Sequence, residues 1–297
     1  MHCHPAQGGA TGGIFSKGHL LALSLLACLL LLPLPCLAQS GLFAIVSDSH
    51  VGASNSVYPA FIKTMDEEKI DMVIHTGDAI NTPGSEREWS AFLEMTGPTR
   101  KLYLAPGNHD IKGPKSVSAY LKHFPKLYYS FSDGDTLFVL LNTELPGEES
   151  MVGGEQFEWL KGELGKPFQC KFVFLHEPLF PVVPNHGLDR HREERDRLHR
   201  LFLEMGVRLV VSGHDHIYDR SDRSGITYVI AGPTGGMLPP FVRDGDPFRY
   251  MVVTRKDGVY SFTSKDMAGV VRDEFLIGGN ASDRHLPNQA PRRAAPH

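Results

Sequence analysis

The amino-acid sequence predicts an α/β fold in which a sandwich of β-sheets is flanked by helices. Short apolar runs rich in Val, Ile and Phe alternate with longer amphipathic stretches, which is the pattern of strands alternating with helices. Several runs show no polar alternation, as expected for strands that are buried on both faces. With 297 residues, 41% of them hydrophobic, the chain has enough material for one large core.

The individual elements follow from these patterns. The apolar runs predict strands at 43–46, 72–74, 102–104, 138–141, 172–175 and 207–211. Helical spacing with charge on one side predicts helices at 58–68, 86–95, 154–164 and 191–205. After Gly225, the runs 226–230, 250–253 and 259–262 are separated by glycine-rich turns without a long helix, which predicts an antiparallel meander.

The two ends of the chain differ in composition from the domain predicted at 39–279. Lys17, an apolar run at 20–32 and a small-residue site at 36–38 have the layout of a secretory signal peptide over residues 1–38. Residues 280–297 are rich in Pro, Ala, Arg and Asn and predict a disordered tail.

The apolar run is shorter than the roughly 20 residues that span a bilayer. Cleavage after Ala38 is therefore favoured over an uncleaved membrane anchor and over a lipoprotein signal ending at Cys28. We expect an exported protein, periplasmic or secreted, that keeps no stable membrane anchor after cleavage.

Charge and cysteine content restrict the partners and the compartment chemistry. The chain has 30 Lys+Arg and 34 Asp+Glu, a formal net charge of -4, which gives no global attraction for nucleic acid or for an anionic membrane. An anionic substrate must therefore be held by local charge, such as a metal. Of the four cysteines, only Cys170 would remain after signal cleavage, so we expect no internal disulfide and a buried apolar thiol at this position.

Polar residues follow five of the predicted strands directly. They form the motifs DSH at 48–50, GDAIN at 77–81, GNHD at 107–110, a single His176, and GHDH at 213–216. Ligands gather at the carboxyl ends of strands in open α/β sheets, so we expect these motifs to converge at one rim. Asp and Asn oxygens with neutral imidazoles suit Mn, Fe, Co, Ni or Zn, and the lack of cysteine argues against a structural zinc cage. Two cations about 3.5–4 Å apart require a bridging anionic ligand, for which Asp78 is the candidate.

In this order, the five motifs resemble those of the calcineurin-like metallophosphoesterase superfamily, over about residues 42–232. The resemblance implies a four-layer αββα sandwich, with two mixed β-sheets flanked by helices, and a centre of two divalent metals. It implies that one metal is bound by Asp48, His50, Asp78 and His216, and the other by Asp78, Asn108, His176 and His214. His109 is then the histidine that faces the leaving oxygen of the substrate.

The resemblance implies a hydrolase that cleaves small phosphomonoesters or phosphodiesters by in-line attack of a hydroxide bridging two metals. His109 is expected to protonate the leaving alkoxide or to donate a hydrogen bond to it, an effect worth about 10²–10⁴-fold. Two alternatives are a nuclease of the same superfamily and a non-catalytic, metal-binding exported protein that keeps the fold. The absence of a basic stripe argues against the nuclease, because binding of a duplex depends on neutralising its phosphates.

One position distinguishes the chain from its relatives. Three residues after Asp78 stands Asn81, where protein Ser/Thr phosphatases have an Asp and purple acid phosphatases have a Tyr. We therefore expect neither a purple ferric site nor a protein phosphatase, although the last block, GHDHIYDR, is similar to that of the purple enzymes. Kinship to small bacterial phosphodiesterases and phosphomonoesterases is expected instead. Asn81 is expected to accept a hydrogen bond from His109 through its amide oxygen.

Four further polar residues are weaker candidates for contact with the substrate or the ligands. Asp110 either fixes its loop through backbone hydrogen bonds or takes part in catalysis. His186 lies in a Pro-rich loop that either forms a lid over the substrate or is exposed to solvent. Tyr218 and Arg220 are candidate phosphate contacts, and the alternative for Arg220 is an ion pair at the surface.

Overall fold

The computed structural model describes residues 43–240, 242 and 247–278. The predicted signal peptide and the predicted tail at 280–297 lie outside these residues. Two six-stranded β-sheets form the centre of the described part. The strands of the first sheet are β1 (Phe43–Val46), β2 (Met72–His75), β3 (Lys101–Leu104), β10 (Arg249–Lys256), β11 (Val259–Asp266) and β12 (Val271–Gly278).

The second sheet contains the remaining six strands. They are β4 (Tyr129–Asp133), β5 (Thr136–Leu140), β6 (Cys170–Phe174), β7 (Leu209–Ser212), β8 (Tyr218–Arg223) and β9 (Ile226–Ala231). The strand order is β12-β11-β10-β1-β2-β3 in the first sheet and β4-β5-β6-β7-β9-β8 in the second. Both sheets are mixed, because β1, β2 and β3 run parallel beside the antiparallel β10, and β5, β6, β7 and β9 run parallel between the antiparallel β4 and β8.

Within the described residues, five helices cover the outer faces of the two sheets. They are α1 (Tyr58–Glu67), α2 (Glu86–Thr96), α3 (Pro114–His123), α4 (Gly154–Leu164) and α5 (Arg192–Glu204), and a short 3-10 turn, Leu188–His191, precedes α5. Tyr58, Phe61 and Trp89 of α1 and α2 pack on the first sheet, whereas Leu160 and Phe202 of α4 and α5 pack on the second. The predicted four-layer αββα architecture is confirmed.

The strand sequences follow from burial on both faces. In β1, Phe43 and Ile45 point into the core between the sheets, where they meet Phe138 and Phe172 of the second sheet. The alternate residues Ala44 and Val46 lie in the core under α1 to α3. Every side chain of β1 is therefore buried, which explains why this run shows no polar alternation.

The structure corrects several predicted elements. Helix α3 and strands β4, β8 and β12 were not predicted. The run at 226–230 is not part of the C-terminal meander: as β9 it pairs in parallel with β7 in the second sheet, and only β10, β11 and β12 form the meander. A central position suits β9 because all six of its residues are buried. Within the described part of the chain, none of the helices has the length and apolarity to cross a membrane.

Candidate metal centre

The five predicted motifs lie at the carboxyl ends of five strands. Asp48 and His50 follow β1, Asp78 follows β2, and Asn108 with His109 follows β3; His176 follows β6, and His214 with His216 follows β7. Backbone hydrogen bonds join the loops after β1 and β2, from Asp48 N to Gly77 O and from His50 N to Asp78 O, both 2.9 Å. The strand ends thus bring together the residues that sequence reasoning had selected.

The first group of donor atoms comes from Asp48, His50, Asp78 and His216, and these atoms all lie within 4.8 Å of one another. The Nε2 atom of His50 is 3.5 Å from Asp78 Oδ2 and 3.2 Å from the Nε2 atom of His216. The Nε2 atom of His216 is in turn 3.3 Å from Asp48 Oδ1. Two imidazole nitrogens and two carboxylates therefore face one point.

A second group shares Asp78 with the first and adds His176 and His214, again within 4.8 Å. His176 Nε2 lies 3.4 Å from Asp78 Oδ2, 3.1 Å from the side-chain oxygen of Asn108 and 3.1 Å from His214 Nδ1. Asp78 is the only residue common to both groups, and it is the carboxylate predicted as the bridge.

The outer nitrogens of two imidazoles determine which nitrogen faces inward. His176 Nδ1 donates to the carbonyl oxygen of Thr76 (2.9 Å), and His216 Nδ1 donates to the carbonyl oxygen of Met237 (2.7 Å). A carbonyl can only accept, so in the neutral ring the lone pair lies on Nε2 and points to the centre. Metal-binding histidines are held in this way by partners behind the ring. The donor set of oxygen and nitrogen fits two divalent ions such as Mn, Fe, Co, Ni or Zn.

The carboxylates and the imidazoles of the centre shift each other's pKa values. Burial raises the pKa of Asp48 and of Asp78, but attraction to His216 and to His176 outweighs it, so that both pKa values are held below their usual range. Burial lowers the pKa of His50 to about 4 and that of His214 to about 2. Burial also lowers the pKa of His176 and His216, but attraction to Asp78 and to Asp48 outweighs it, so that both pKa values are raised. The centre thus combines ionised carboxylates with two imidazoles, His50 and His214, that are held neutral, whereas His176 and His216 would release a proton on binding a metal.

Several of these side chains sit on strained backbone. The φ angles of Asp48, His50, Asp78, His214 and His216 are 48°, 42°, 56°, 70° and 50°. This left-handed region is uncommon for residues other than glycine, and holding a residue there costs on the order of 1–3 kcal/mol. Such strain clusters at functional sites, where the surrounding structure imposes it.

Close packing explains the glycine that precedes His214. A Cβ on Gly213 would lie 2.4 Å from Asp48 Oδ2 and still closer to the Ser47 hydroxyl. Gly213 therefore lets the loop after β7 approach the loop after β1, and it is not needed for an unusual φ angle.

His109 lies beside the two groups, but its hydrogen bond differs from the predicted one. Its Nδ1 donates to the backbone carbonyl of Asn81 (2.5 Å), not to the amide side chain of that residue. Its own backbone N–H donates to Asp78 Oδ1 (2.8 Å), and its ring centroid is 4.6 Å from that of His50.

Glu88, which sequence reasoning missed, holds the loop that carries Asn81. Its Oε2 accepts from the backbone N–H groups of Asn81 (3.1 Å) and Thr82 (2.7 Å), and its Oε1 accepts from the Thr82 hydroxyl (3.0 Å). The signal was present as Ser85-x-x-Glu88, a pattern typical of helix starts. Ser85 does cap α2 by accepting from Glu88 N, while the glutamate side chain turns toward the loop.

Asp110 is completely buried beneath the centre. Its carboxylate accepts from the backbone N–H groups of Ala79 (2.9 Å), Ile80 (3.3 Å) and Gly107 (3.0 Å), and it thereby joins the loops after β2 and β3. Burial, reinforced by the neighbouring Asp78, raises its pKa to about 7. Asp110 does not line the cavity described below, so its contacts are those of a loop-fixing residue.

His186 lies at the rim of the centre. Its ring stacks on that of His214, with centroids 4.1 Å apart, and its Nδ1 is 2.8 Å from Asp215 Oδ1. Asp215 was not singled out from the sequence; it also accepts from the backbone N–H groups of Val182 and Val183. The His186 side chain is 39% exposed, and whether its loop forms a lid over the substrate or is only exposed to solvent stays a prediction.

Tyr218 and Arg220 do not contact the centre. The Tyr218 hydroxyl donates to Asp273 (2.8 Å), and Arg220 forms two hydrogen bonds with the same carboxylate, of 2.6 and 3.1 Å. The Arg220 side chain is 1% exposed, so its ion pair is buried and not at the surface. Because these residues lie on β8, their side chains join the two sheets instead of facing a substrate.

A cavity of about 590 Å³ opens over the two groups of donor atoms. His50, Asp78, Asn108, His109, His214 and His216 form its polar floor, and Asn81, His186 and Asp215 lie beside them. The rest of the lining is Val183 and residues 236–240. This volume is in the range of small-molecule sites.

Comparison with known proteins agrees with this geometry. The family model described as calcineurin-like phosphoesterase matches residues 41–218. The chain belongs to this family. As in the family pattern, the matched stretch carries ligands for two divalent metal ions, with Asp78 in both groups. The assignment of individual residues to each ion stays a prediction.

Similar curated proteins are plant and animal phosphatases. Purple acid phosphatase 15 of Arabidopsis thaliana is 29% identical over 175 residues, which cover 50% of this chain and 32% of that protein. The serine/threonine-protein phosphatase CPPED1 of Homo sapiens is 28% identical over 179 residues, covering 56% of each chain. The chain thus spans between a third and just over half of these relatives. Kinship to small bacterial phosphodiesterases stays a prediction.

Solved structures support the fold. The purple acid phosphatase PPD1 of yellow lupin superposes with a TM-score of 0.68 at 20% identity, covering 87% of this chain and 57% of that one. A dimetal phosphatase of Danio rerio gives a TM-score of 0.53 at 13% identity, covering 80% and 99%. At these identities the similarity is one of architecture.

Proposed function

We propose that this protein is a metal-dependent phosphoester hydrolase that acts on small phosphomonoesters or phosphodiesters. The observation that carries the proposal is the convergence of oxygen and nitrogen donors from five strand ends into two groups that share Asp78. The proposed ligands of the two divalent ions are Asp48, His50, Asp78, Asn108, His176, His214 and His216. Homology to phosphatases supports the reaction class.

The proposed chemistry divides between the ions and the protein. Two divalent ions, when bound, would supply positive charge that offsets the negative charge of the phosphoryl oxygens, and they would lower the pKa of a water so that hydroxide is available to attack phosphorus. Asp78, which belongs to both groups, would hold both ions. His109 holds one proton on Nδ1 against the carbonyl of Asn81, and a second proton, on Nε2, is the one proposed to pass to the leaving oxygen.

His186 is proposed as a second contact for the substrate. Its Nδ1 is engaged by Asp215, a carboxylate that two backbone N–H groups hold in place. The ring lines the cavity, so its Nε2 is suited to donate to a phosphoryl oxygen. Such a carboxylate–imidazole pair keeps the ring oriented.

Activity of the metal-reconstituted protein tests the proposal. Protein loaded with Mn, Zn, Co, Fe or Ni should release phosphate or alcohol from nitrophenyl esters of phosphoric acid. Asp78→Asn should abolish this release and lower metal content, whereas Asp71→Asn, a change at an exposed loop position, should do neither. A parent protein that binds metals but cleaves no mono- or diester would support the non-catalytic alternative, and salt-sensitive cleavage of DNA would support the nuclease.

We further propose that the protein is exported and that its domain spans 39–279. The support is the layout of residues 1–38, with Lys17, the apolar run and the small-residue site before Gln39. N-terminal sequencing of protein recovered from the periplasm or medium tests this proposal, because a start at Gln39 is expected. Recovery of the intact N-terminus in the membrane fraction would support the anchored alternative.

A further inference from the structure

Part of the cavity lining is apolar. The apolar lining residues are Val183 and residues 237–240, which read Met-Leu-Pro-Pro. We call these five residues the apolar wall. Met237 is 88% exposed, and Val183, Leu238 and Pro239 are half-buried. Apolar side chains left in contact with water beside a binding site favour an apolar partner, since covering them is stabilising.

The apolar wall is attached to the proposed metal ligands. The carbonyl oxygen of Met237 accepts from His216 Nδ1 (2.7 Å), and the carbonyl oxygen of Gly236 accepts from the Asn55 side chain (2.5 Å). Gly236 itself has φ 74°, and a Cβ there would lie 2.5 Å from His50 Cδ2 and 2.6 Å from His216 Cε1. The absence of a side chain therefore lets this segment cross directly over two imidazoles. The apolar wall is therefore held next to the proposed ligands His50 and His216.

The charges around the cavity restrict the substrate further. Among the described residues that line it, there is no Lys and no Arg, and the carboxylates are Asp78 and Asp215. Proteins usually hold additional phosphate or carboxylate groups with Arg or Lys. The part of the substrate beyond the reacting phosphate therefore meets no positive side chain in the described lining, and a second anionic group there would lose its hydration without compensation.

We infer that the site takes a small ester with a single phosphate and an uncharged, apolar alcohol, either alkyl or aryl. The phosphate lies on the metal centre, and the alcohol covers the apolar wall. This inference rests on the proposed function for the position of the phosphate. It distinguishes such esters from nucleotides, sugar phosphates and acidic phosphopeptides, which carry polar or charged groups next to the phosphate.

Binding of alkylphosphonates tests the inference without relying on turnover. These compounds present a phosphate-like head but have no ester bond to cleave, and their head group stays nearly constant from ethyl to hexyl. Calorimetric titration of the Mn-loaded protein should give a Kd that falls by about two- to fourfold for each added methylene, the range for partial to full burial. A chain of the same length that ends in a carboxylate should lose most of this gain.

Variants assign the effect to the apolar wall. Met237→Ser and Leu238→Ser should each flatten the dependence of Kd on chain length. Leu203→Ser, at a 38% exposed position on α5 outside the cavity, is the matched control and should leave the dependence unchanged. The inference is overturned if Kd is independent of chain length, if the carboxylate-terminated chain binds as tightly as the alkyl chain, or if no phosphonate binds.

Two further measurements separate the possible outcomes. If Kd depends on chain length but no ester is hydrolysed, the proposed function is overturned and the inference is kept. If esters are hydrolysed but Kd does not depend on chain length, the inference is overturned and the proposed function is kept. Phosphatidylcholine vesicles with and without phosphatidic acid distinguish the sources of the apolar alcohol. Sedimentation only with phosphatidic acid supports a membrane lipid, and a chain-length effect without sedimentation supports a soluble ester.

Discussion

Replacing Gly236 by Ala should remove one metal and leave the other. The added Cβ would lie 2.5 and 2.6 Å from ring carbons of His50 and His216, so the rings must retreat by roughly half an ångström to reach even a tight contact. Metal–ligand distances tolerate only about 0.2 Å. Displacing these two ligands of the first group should therefore lower the affinity for the ion of that group by about 10–100-fold, which is the usual effect of disturbing the residues that support a metal ligand.

The second ion should keep its affinity, because a Cβ at 236 meets neither His176 nor His214 among its nearest atoms. Metal content after dialysis against a weak chelator should thus fall from two ions per chain toward one. Gly206→Ala is the control: its φ of 72° gives a similar backbone cost of about 1–2 kcal/mol, but no atom lies within 4 Å of the added carbon. Equal metal content and affinity in the parent and Gly236→Ala would refute this account.

Three further predictions concern other parts of the molecule. His109→Ala should slow hydrolysis of an alkyl phosphate by about 10²–10⁴-fold, but that of a nitrophenyl ester far less, because the better leaving group needs no proton. If the steady-state rates for the two esters fall by the same factor, His109 does not act at the leaving oxygen. Glu88→Gln should lower the free energy of unfolding in urea by about 1–3 kcal/mol, because its hydrogen bonds to the Asn81 loop become weaker. Arg87→Gln, a change at the exposed neighbouring residue, should have little effect on this free energy. If urea unfolding of Glu88→Gln has the same midpoint and slope as that of Arg87→Gln, Glu88 does not have this role. Burial raises the pKa of the Cys170 thiol to about 12, so iodoacetamide at neutral pH should label Cys170 only after unfolding, and peptide mass spectrometry that finds it labelled in the native protein would contradict its burial.

The central strands and the edge strand β3 could be predicted from the sequence, but the other three edge strands could not. Runs such as Phe43–Val46 are buried on both faces, so their composition alone identifies them. The three strands that were missed, β4, β8 and β12, all lie at sheet edges. Edge strands carry polar residues toward solvent, and β8, with the sequence YDRSDR, has no apolar run to recognise. Helix α3 was missed although Gly113 and Pro114 mark its start.

The positions of the proposed ligands could be predicted because the ends of neighbouring strands meet by topology. The hydrogen bonds that backbone atoms make to the side chains of the centre could not be predicted from the sequence. The carbonyl groups of Thr76, Asn81 and Met237 orient three histidines, and any residue type could supply them. The error at Asn81 has this origin, since its side chain and its backbone offer the same kind of acceptor.

Each of the two proposed ion sites draws on both halves of the sandwich. Asp48, His50 and Asp78 extend from the first sheet and His216 from the second, and the other site divides in the same way. Bound ions would therefore connect the two sheets at the end where the ligands lie. They would raise the free energy of unfolding in proportion to the logarithm of the free ion concentration. Removal of the ions should let the two sheets separate first at that end. Amide hydrogen exchange should then be faster beside the ligands than at the opposite end of the strands.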